Sequence, residues 1–405
     1  MLQLFFIVHI LFWGMGPEIG GSKLPLSAIL LLPIGMIWIV RNGLRLSKIS
    51  IRFSSVVLPI IGIWLVVGYT GLCTDGFAKA ILSAPIWFLL ALLSVEVGAR
   101  ATPDSWLKLR KTAFIVLVIA IITSILELLF PHLVGPDKLK YHASFAFAGI
   151  YNEPSHAAIS LFPCLIILLL SKDTRDVRRG LLAVALLLML TRSTTLIALM
   201  TGFSLCFFYN NLSFKKFATI MSFLITFIFV AYYVDYDLII GPIEERLLGL
   251  YSTDTTNISS MVYIKGWQDG WGNILRTYGL GLGFNMMGCS PLPLTDMFYL
   301  LQDSGGLELN NTDGSFLLAK LISEFGVFGV LLFGYLCLYL IVQAISIKKC
   351  SNGKISDSHL IQLYLIFSFL MIAMIRTTGY FHSSVFIVAI ALSSLIKKPL
   401  YKSLS

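Results

Sequence analysis

The chain has 405 residues, of which 57% are hydrophobic and only 13% are charged, and its formal net charge is +9. Ordinary soluble domains have about 25% charged residues, so this composition excludes a soluble globular protein. The positive charge is concentrated in loops between apolar segments. This distribution is a signal of membrane topology and gives no support for nucleic acid as a partner.

Apolar segments that match the thickness of a bilayer, about 17 to 25 residues each, recur along the chain. Such segments must be helical in a bilayer, because the backbone finds no water there to bond. We therefore predict an all-α, polytopic membrane protein with about twelve transmembrane helices. The predicted spans are 2–15, 24–40, 54–72, 77–98, 112–130, 155–171, 180–191, 193–209, 217–235, 314–346, 359–376 and 378–396.

Two details of these spans are specific enough to be checked. The seventh and eighth read as one hairpin that is broken near Thr191–Arg192. The first is expected to be retained in the protein, because no basic residue precedes it and no small-residue cleavage site follows it.

Most of the 30 lysines and arginines lie in one alternating set of loops. The positive-inside rule makes this set cytoplasmic, and both termini with it. Residues 1–235 and 314–405 then form two groups of helices around one long outer loop, 236–313, and we expect the function on that outer face. Apolar residues in this loop recur at helical spacing and predict an amphipathic helix that lies on the outer membrane surface, packs on the bundle, or does both: Ile264, Trp267, Trp271, Ile274 and Tyr278.

The six cysteines show no spacing typical of a metal site. Only Cys73 and Cys289 lie where they could meet on the outer side, and we interpret the set as buried apolar thiols. We predict no metal and no cofactor. The sequence GLGLGF at Gly279–Phe284 superficially resembles a dinucleotide fingerprint, but it lies on the outer side with no strand before it, which excludes that interpretation.

Two arginines interrupt apolar sequence near the predicted outer face. Arg192 is followed by three hydroxyl residues, and Arg376 by two threonines, a glycine and, further on, His382. An isolated guanidinium at this depth is costly unless it is paired or faces water. It either anchors a helix end by reaching for the interface or, since its planar fork binds phosphate oxygens, helps to form an anion clamp.

A polar cluster opens the sixth span in the sequence GIYNEPSHAA at 149–158. Pro154 favours a helix start, where the carboxylate of Glu153 complements the helix dipole. The neighbouring Ser155 and His156 give a second interpretation, because a carboxylate beside an imidazole is suited to taking a proton from a hydroxyl. Capping and chemistry both remain open at this stage.

A third set of charges opens the tenth span. The spacing of Asp313, Lys320 and Glu324 places them along one face of a helix. Charges at this depth usually face a bundle interior or a wet cavity, and Lys320 and Glu324 also have the spacing to neutralise each other. Asp313 either caps this helix or is an alternative to Glu153 as the base.

These motifs, in this order and on this side, resemble the O-antigen polymerase and ligase superfamily. The segments are YNEPSHAA at 151–158, MLTRSTTLIALMTG at 189–202, GWQDGWGNILRTYGLGLGFN at 266–285 and NNTDGSFLLAKLISEFGVFGVLLFGYL at 310–336. Ligases of this superfamily commonly carry a His-Asn pair where this chain has Thr312 and Asp313, which favours the polymerase. The arginine often found upstream of the loop tryptophan is also missing, and Lys265 stands near its place.

The resemblance implies a glycosyltransferase of the GT-C type in the bacterial inner membrane. Such an enzyme transfers a growing glycan from undecaprenyl diphosphate onto a new lipid-linked repeat unit at the periplasmic face. It works without a cofactor, and with a regulator of polysaccharide chain length as an expected partner. The residues expected to act are Glu153, His156 and Asp313 in catalysis, and Arg192, Arg376, Lys320, Ser155, Lys265 and His382 in substrate binding. An O-antigen ligase and a lipid-linked glycan flippase are the alternatives, although the chain lacks the two-fold hydropathy repeat found in many transporters.

Overall fold

In the part of the chain that the structure describes, the regular structure is helical apart from two strands of two residues each, β1 Glu18–Ile19 and β2 Ser22–Lys23, which pair antiparallel. The computed structural model describes residues 1–16, 18–19, 22–23, 25–71, 76–131, 146–209, 258–289, 292–303, 306, 309, 311–312, 314–349, 356–376 and 379–397. The elements are α1 Leu2–Phe12, β1 Glu18–Ile19, β2 Ser22–Lys23, α2 Leu26–Arg41, α3 Lys48–Thr70, α4 Phe77–Arg100, α5 Pro103–Leu129, α6 Pro154–Leu169, α7 Thr174–Thr191, α8 Thr194–Tyr209, α9 Ile258–Arg276, α10 Asp296–Asp303, α11 Leu317–Lys349, α12 Asp357–Ile375 and α13 Ser383–Lys397. The predicted all-α class is confirmed.

Five of the described helices are long and apolar enough to cross a membrane: α3, α4, α5, α11 and α12. Five more apolar helices are shorter, namely α1, α2, α6, α8 and α13. The chain therefore has the character of a helical membrane protein. The predicted ninth span, 217–235, lies outside the described residues, as does the first part of the long loop, so the number of about twelve spans stays a prediction.

Helix α6 is at the centre of the bundle. Every residue from Ala157 to Leu169 is buried, and α6 packs against α5, α7, α8 and α12. Helix α3 lies at the periphery, where it packs on α4 and leaves apolar side chains such as Val56 and Ile63 more than half exposed. An apolar face open along a whole helix is expected where the neighbour is lipid.

The bundle has two chemically different ends. At one end, charged side chains join loops of the basic set, as Arg110 and Lys172 both pair with Asp357, at 2.7 and 2.8 Å. Side chains also cap the helices that begin there, as Ser47 does for α3 and Ser356 for α12. These contacts link loops that the charge count places together on the cytoplasmic side.

The opposite end carries the predicted break between the seventh and eighth spans. Helix α7 ends at Thr191, Arg192 adopts a left-handed conformation with φ 46° and ψ 36°, and α8 begins at Thr194. The predicted break near Thr191–Arg192 is thereby confirmed. A non-glycine residue with positive φ is uncommon, so the sequence did not predict this backbone conformation at Arg192. It predicted the break only because polar residues interrupt an apolar run there.

The predicted tenth span, 314–346, corresponds to α11 but is not one regular helix. Gly326 has φ 58° and ψ −137°, and the GLGLGF segment fills the gap at this kink. Within it, Gly283 N–H donates to the carbonyl of Glu324 (3.0 Å), while Val327 N–H donates to the carbonyl of Gly279 (2.9 Å). The glycines of this segment thus allow a close backbone approach to α11 and do not form a phosphate loop.

The predicted amphipathic helix is α9, and it packs along α11. A Cβ atom on Gly266 would lie 2.5 Å from the carbonyl oxygen of Gly314, so glycine permits this close packing. Apolar residues at its far end face outward instead: Trp271 is 50% exposed and Leu275 is 77% exposed. Packing on the bundle is therefore found, and the outward apolar face is what an interfacial helix requires.

The cysteines differ from the interpretation of buried thiols in one case. Cys164 and Cys337 are free, as expected, whereas Cys289 takes part in a disulfide. Composition does not reveal this, because a disulfide requires two cysteines to be brought together by the fold. Cys73 lies outside the described residues.

We predict that the two ends of the bundle differ in their access to an impermeant thiol reagent. Gln302 near the end of α10 and Asp104 at the start of α5 are both exposed, but they belong to opposite sets of loops. In cells with a permeabilised outer membrane, Gln302→Cys should be labelled and Asp104→Cys should not, with the unsubstituted chain as the background control. Labelling of Asp104→Cys alone would reverse the orientation.

We also predict that the GLGLGF segment tolerates no side chain at Gly283. This residue has φ 103°, and an added Cβ would lie 2.5 Å from the Cα of Gly68. Gly283→Ala should reduce the free energy of unfolding by about 1–3 kcal/mol or more, measured as loss of thermal stability in detergent. Gly334→Ala is the matched control, because no atom lies within 4 Å of its Cβ position and alanine favours the helix. Equal stability of the two variants would contradict the close approach.

Candidate functional site

The segment that leads into α6 is held by buried polar contacts. Gly149 has φ 63°, and its N–H donates to the carboxylate of Glu127 on α5. The hydroxyl of Tyr151 donates to the carbonyl of Ile10 on α1 (3.2 Å). The segment that leads into α6 is therefore held by α5 on one side and by α1 on the other.

Glu153 occupies the N-cap position of α6, and Pro154 is the first helical residue, as predicted. The side chain of Glu153 makes no capping hydrogen bond to the start of α6. Instead, its Oε2 accepts from Nη2 of Arg376 (3.1 Å) and from Oγ of Ser155 (3.2 Å). The carboxylate still lies at the positive end of the helix dipole, but its direct partner is the guanidinium that the sequence marked as a phosphate ligand.

Arg376 reaches Glu153 from the end of α12. It is the C-cap residue, with its N–H bonded to the carbonyl of Ile372 (3.0 Å), and a cation is stabilised at this end of a helix. The side chains of Arg376 and Glu153 are 26% and 30% exposed. Solvent, and hence a ligand, reaches both members of this ion pair.

Arg192 belongs to the same end of the bundle. It is half-buried at the turn between α7 and α8, and that turn is joined to the segment before α6 by the hydrogen bond from Phe147 N–H to the carbonyl of Leu190 (2.7 Å). The segment 147–153 thus contacts the turn that carries Arg192 and, through Glu153, also Arg376. A clamp that uses both guanidinium groups remains a prediction.

The two histidines of the predicted site lie on either side of Trp13, at the end of α1. The ring of Trp13 is 5.3 Å from that of His156 and 4.4 Å from that of His382, both edge to face. The indole is fixed by its hydrogen bond to Ser160. Trp13 therefore sets the position of both imidazoles.

His382 differs from His156 in exposure. It is completely buried, and its Nδ1 lies 2.7 Å from Oγ of Ser384 and 3.2 Å from the backbone nitrogen of the same residue. Nε2 has no hydrogen-bond partner among the described residues. His156 is partly exposed at the start of α6. His382 is thus buried where the sequence predicts a substrate-binding residue, and its contact with substrate stays a prediction.

Lys320 is also buried, against the expectation of a substrate-binding lysine. It is 1% exposed, pairs with Glu324 at 3.1 Å, and donates to the carbonyl of Thr312. Its ammonium group lies 5.3 Å from the ring centre of Tyr380. The alternative that the sequence left open is thus found: Lys320 and Glu324 neutralise each other in the interior.

Lys265 has a similar place on α9. It is 3% exposed, pairs with Asp269, and donates to Oδ1 of Asn311 (3.1 Å). Burial raises the pKa of the Asp269 carboxyl, and the charge of Lys265 opposes this shift only in part. This lysine joins α9 to the turn before α11, and its contact with a substrate stays a prediction.

Several residues that the sequence did not single out shape this end of the bundle. Glu127 holds the turn at Gly149, Trp13 positions the histidines, and Asp269 holds Lys265. An acidic residue in an apolar run was the available signal for Glu127. The remaining catalytic candidate, Asp313, lies outside the described residues.

No group of three or more histidines, cysteines or carboxylates in the described part of the chain is placed to hold a metal ion. What the described site offers is a carboxylate, an imidazole and two guanidinium groups at one end of a helical bundle. This set can hold an anion and accept a proton.

No protein-family model, no curated protein and no solved structure matches this chain. The fold and the site therefore define the class on their own. The chain is a helical protein with five candidate membrane-spanning helices among its described residues and a charged, partly exposed site at one end of the bundle.

We predict that burial separates structural from functional cations. Lys320→Met leaves the carboxylate of Glu324 buried without its ion-pair partner and should cost about 3–5 kcal/mol of stability. Arg376→Gln removes one member of a partly exposed pair and should cost about 0–1 kcal/mol. Thermal unfolding of the two purified variants in detergent measures the difference. A Lys320→Met protein as stable as the unsubstituted chain would mean that the ion pair of Lys320 and Glu324 does not stabilise the segments around it.

Proposed function

We propose that the chain is an O-antigen polymerase of the bacterial inner membrane, with about twelve spans and a GT-C type fold. Its donor is a growing glycan on undecaprenyl diphosphate, and its acceptor is a new lipid-linked repeat unit at the periplasmic face. The motif resemblance provides the family. The site chemistry is the independent support from the structure.

The observation that carries the proposal is the contact between Glu153 and Arg376. It joins a potential base to a potential phosphate ligand, at 3.1 Å, on side chains that solvent reaches. Transfer from a lipid diphosphate needs both functions at one place, because the leaving group is an anion and the attacking group is a hydroxyl. His156 and the turn of Arg192 belong to the same end of the bundle.

Two features support the periplasmic orientation. The disulfide at Cys289 lies in the segment between α9 and α10, and disulfides persist in the periplasm but are rare in the cytosol. The outward face of α9 exposes Trp271, an aromatic residue of the type enriched at membrane interfaces.

The reaction that follows from this set of groups is a displacement at the anomeric carbon of the donor glycan. The acceptor hydroxyl oxygen forms a bond to this carbon while the bond from the carbon to the diphosphate oxygen breaks. The electron pair of the broken bond leaves with undecaprenyl diphosphate, which Arg376 and Arg192 stabilise. The hydroxyl proton goes to the carboxylate of Glu153. Ser155 and His156 orient this carboxylate or assist it in accepting the proton.

Lys320, Lys265 and His382 have a supporting function in this proposal, because their burial keeps them from the substrate. The expected partners are the two lipid-linked oligosaccharides, the surrounding lipid and a regulator of chain length. Asp313 remains the alternative base.

We predict that Glu153→Gln slows polymer formation by about 10²- to 10⁴-fold, because an amide does not accept the proton. The measurement is polymer formation in vitro from purified enzyme and lipid-linked repeat units. His156→Ala is the paired variant, and a similar loss would show that the imidazole is part of the base.

Two outcomes contradict the assignment in different ways. Near-normal polymerisation by Glu153→Gln would leave Glu153 with a role in the helix start only and would move the search for the base to Asp313. If the unsubstituted enzyme leaves lipid-linked units separate but transfers glycan onto a lipid A–core acceptor, it is a ligase.

A further inference from the structure

The ion pair of Glu153 and Arg376 presents a conflict for the proposed chemistry. The same Oε2 that would take a proton accepts a hydrogen bond from the guanidinium that would hold the diphosphate. A carboxylate next to a cation holds a proton less well than a free carboxylate does. In this arrangement the carboxylate already has a cation as its partner, and the guanidinium already has an anion as its partner.

A diphosphate that binds to Arg376 would take the place of Glu153 on the guanidinium. It would thereby fill the phosphate site and separate the carboxylate from its cation. It carries more negative charge than one carboxylate and presents several oxygens to the planar fork of an arginine, which binds phosphate in a bidentate manner. The pair is partly exposed, and exposed ion pairs contribute only about 0–1 kcal/mol. Exchange of one anion for the other on Arg376 is therefore favourable without any large rearrangement.

We infer that Glu153 is a resident anion in the diphosphate site of Arg376, and that donor binding displaces it and thereby frees the base. The carboxylate and the lipid-linked diphosphate compete for one guanidinium. As a consequence, the acceptor hydroxyl meets an active base only after the donor has bound, and transfer is ordered with the donor first. This inference rests on the proposed function of the same two residues.

The supports of the two side chains fit this exchange. Glu153 is fixed at the first turn of α6 and Arg376 at the last turn of α12, so each backbone position is held by its own helix. Ser155 donates to the same Oε2 at 3.2 Å and remains as a partner when the guanidinium leaves. Only the side chains need to separate.

The test measures binding, which does not depend on turnover. The probe is undecaprenyl diphosphate without glycan, titrated against the full-length protein in phosphatidylcholine nanodiscs. Glu153→Gln should bind it about two- to fivefold more tightly than the unsubstituted chain, because the competing anion is gone. Asp176→Asn is the control, since it removes the same charge from an exposed pair with Arg179 at the other end of the bundle, and its affinity should be unchanged.

A second pair of variants separates competition from simple charge repulsion. In the background of Arg376→Gln, the substitution Glu153→Gln should no longer tighten binding, because there is no guanidinium left to compete for. Tightening that persists in this background, or unchanged or weaker binding by Glu153→Gln alone, overturns the inference while leaving a diphosphate site. If the unsubstituted chain does not bind the probe at all, the proposed function fails together with it.

Discussion

The carboxylate of Glu324 holds together the segments that build one end of this bundle. It is completely buried, and it accepts from the N–H groups of Asn285 (2.7 Å) and Met287 (2.8 Å) as well as from the ammonium group of Lys320 (3.1 Å). A buried charge is tolerated only when it is paired and its remaining lone pairs are bonded. This requirement fixes the loop after α9 against α11.

The end of the bundle that carries the candidate site depends on this arrangement. Tyr380 stacks on Phe284 of the loop that Glu324 holds, with ring centres 5.3 Å apart. The backbone carbonyl of Tyr380 accepts a hydrogen bond from the indole N–H of Trp87 (3.1 Å). Tyr380 is therefore held by the same core that Glu324 organises. Glu153 is positioned separately, by contacts of the segment before α6 with α1 and α5. The candidate site lies where these two independently supported parts meet.

Burial divides the charged residues of this end into two groups. Lys265 and Lys320 each pair in the interior with a carboxylate four residues further along the same helix. Glu153 and Arg376 form a pair that solvent reaches, so its partners are exchangeable. The same chemical contact is thus a structural device in one place and the basis of a proposed substrate site in the other. The difference lies in the cost of separating the charges, which is high in a low-dielectric interior and small at an exposed surface.

Local sequence was sufficient for the helical class, the helix start at Pro154 and the break at Arg192. Each of these follows from interactions within a few residues, such as proline at a first helical turn or a cation that ends an apolar run. The spacing of Lys320 and Glu324 likewise indicated their pairing. The kink of α11 at Gly326 was not predicted, because it depends on a segment distant in the chain. The sequence placed Cys289 where it could meet Cys73, but favoured a buried free thiol over the disulfide that is found.

The amino-acid sequence by itself determined that this chain forms apolar helices and which polar residues interrupt them, because hydrophobicity and helix-end preferences act locally. Burial or exposure of those polar residues, in contrast, is settled by the tertiary structure. It buried His382, Lys265 and Lys320 and left Glu153 and Arg376 open. The physical reason is that exposure and pairing are properties of neighbouring helices. Glu153 and Arg376 are far apart in the chain, and no local pattern specifies the 3.1 Å contact between them.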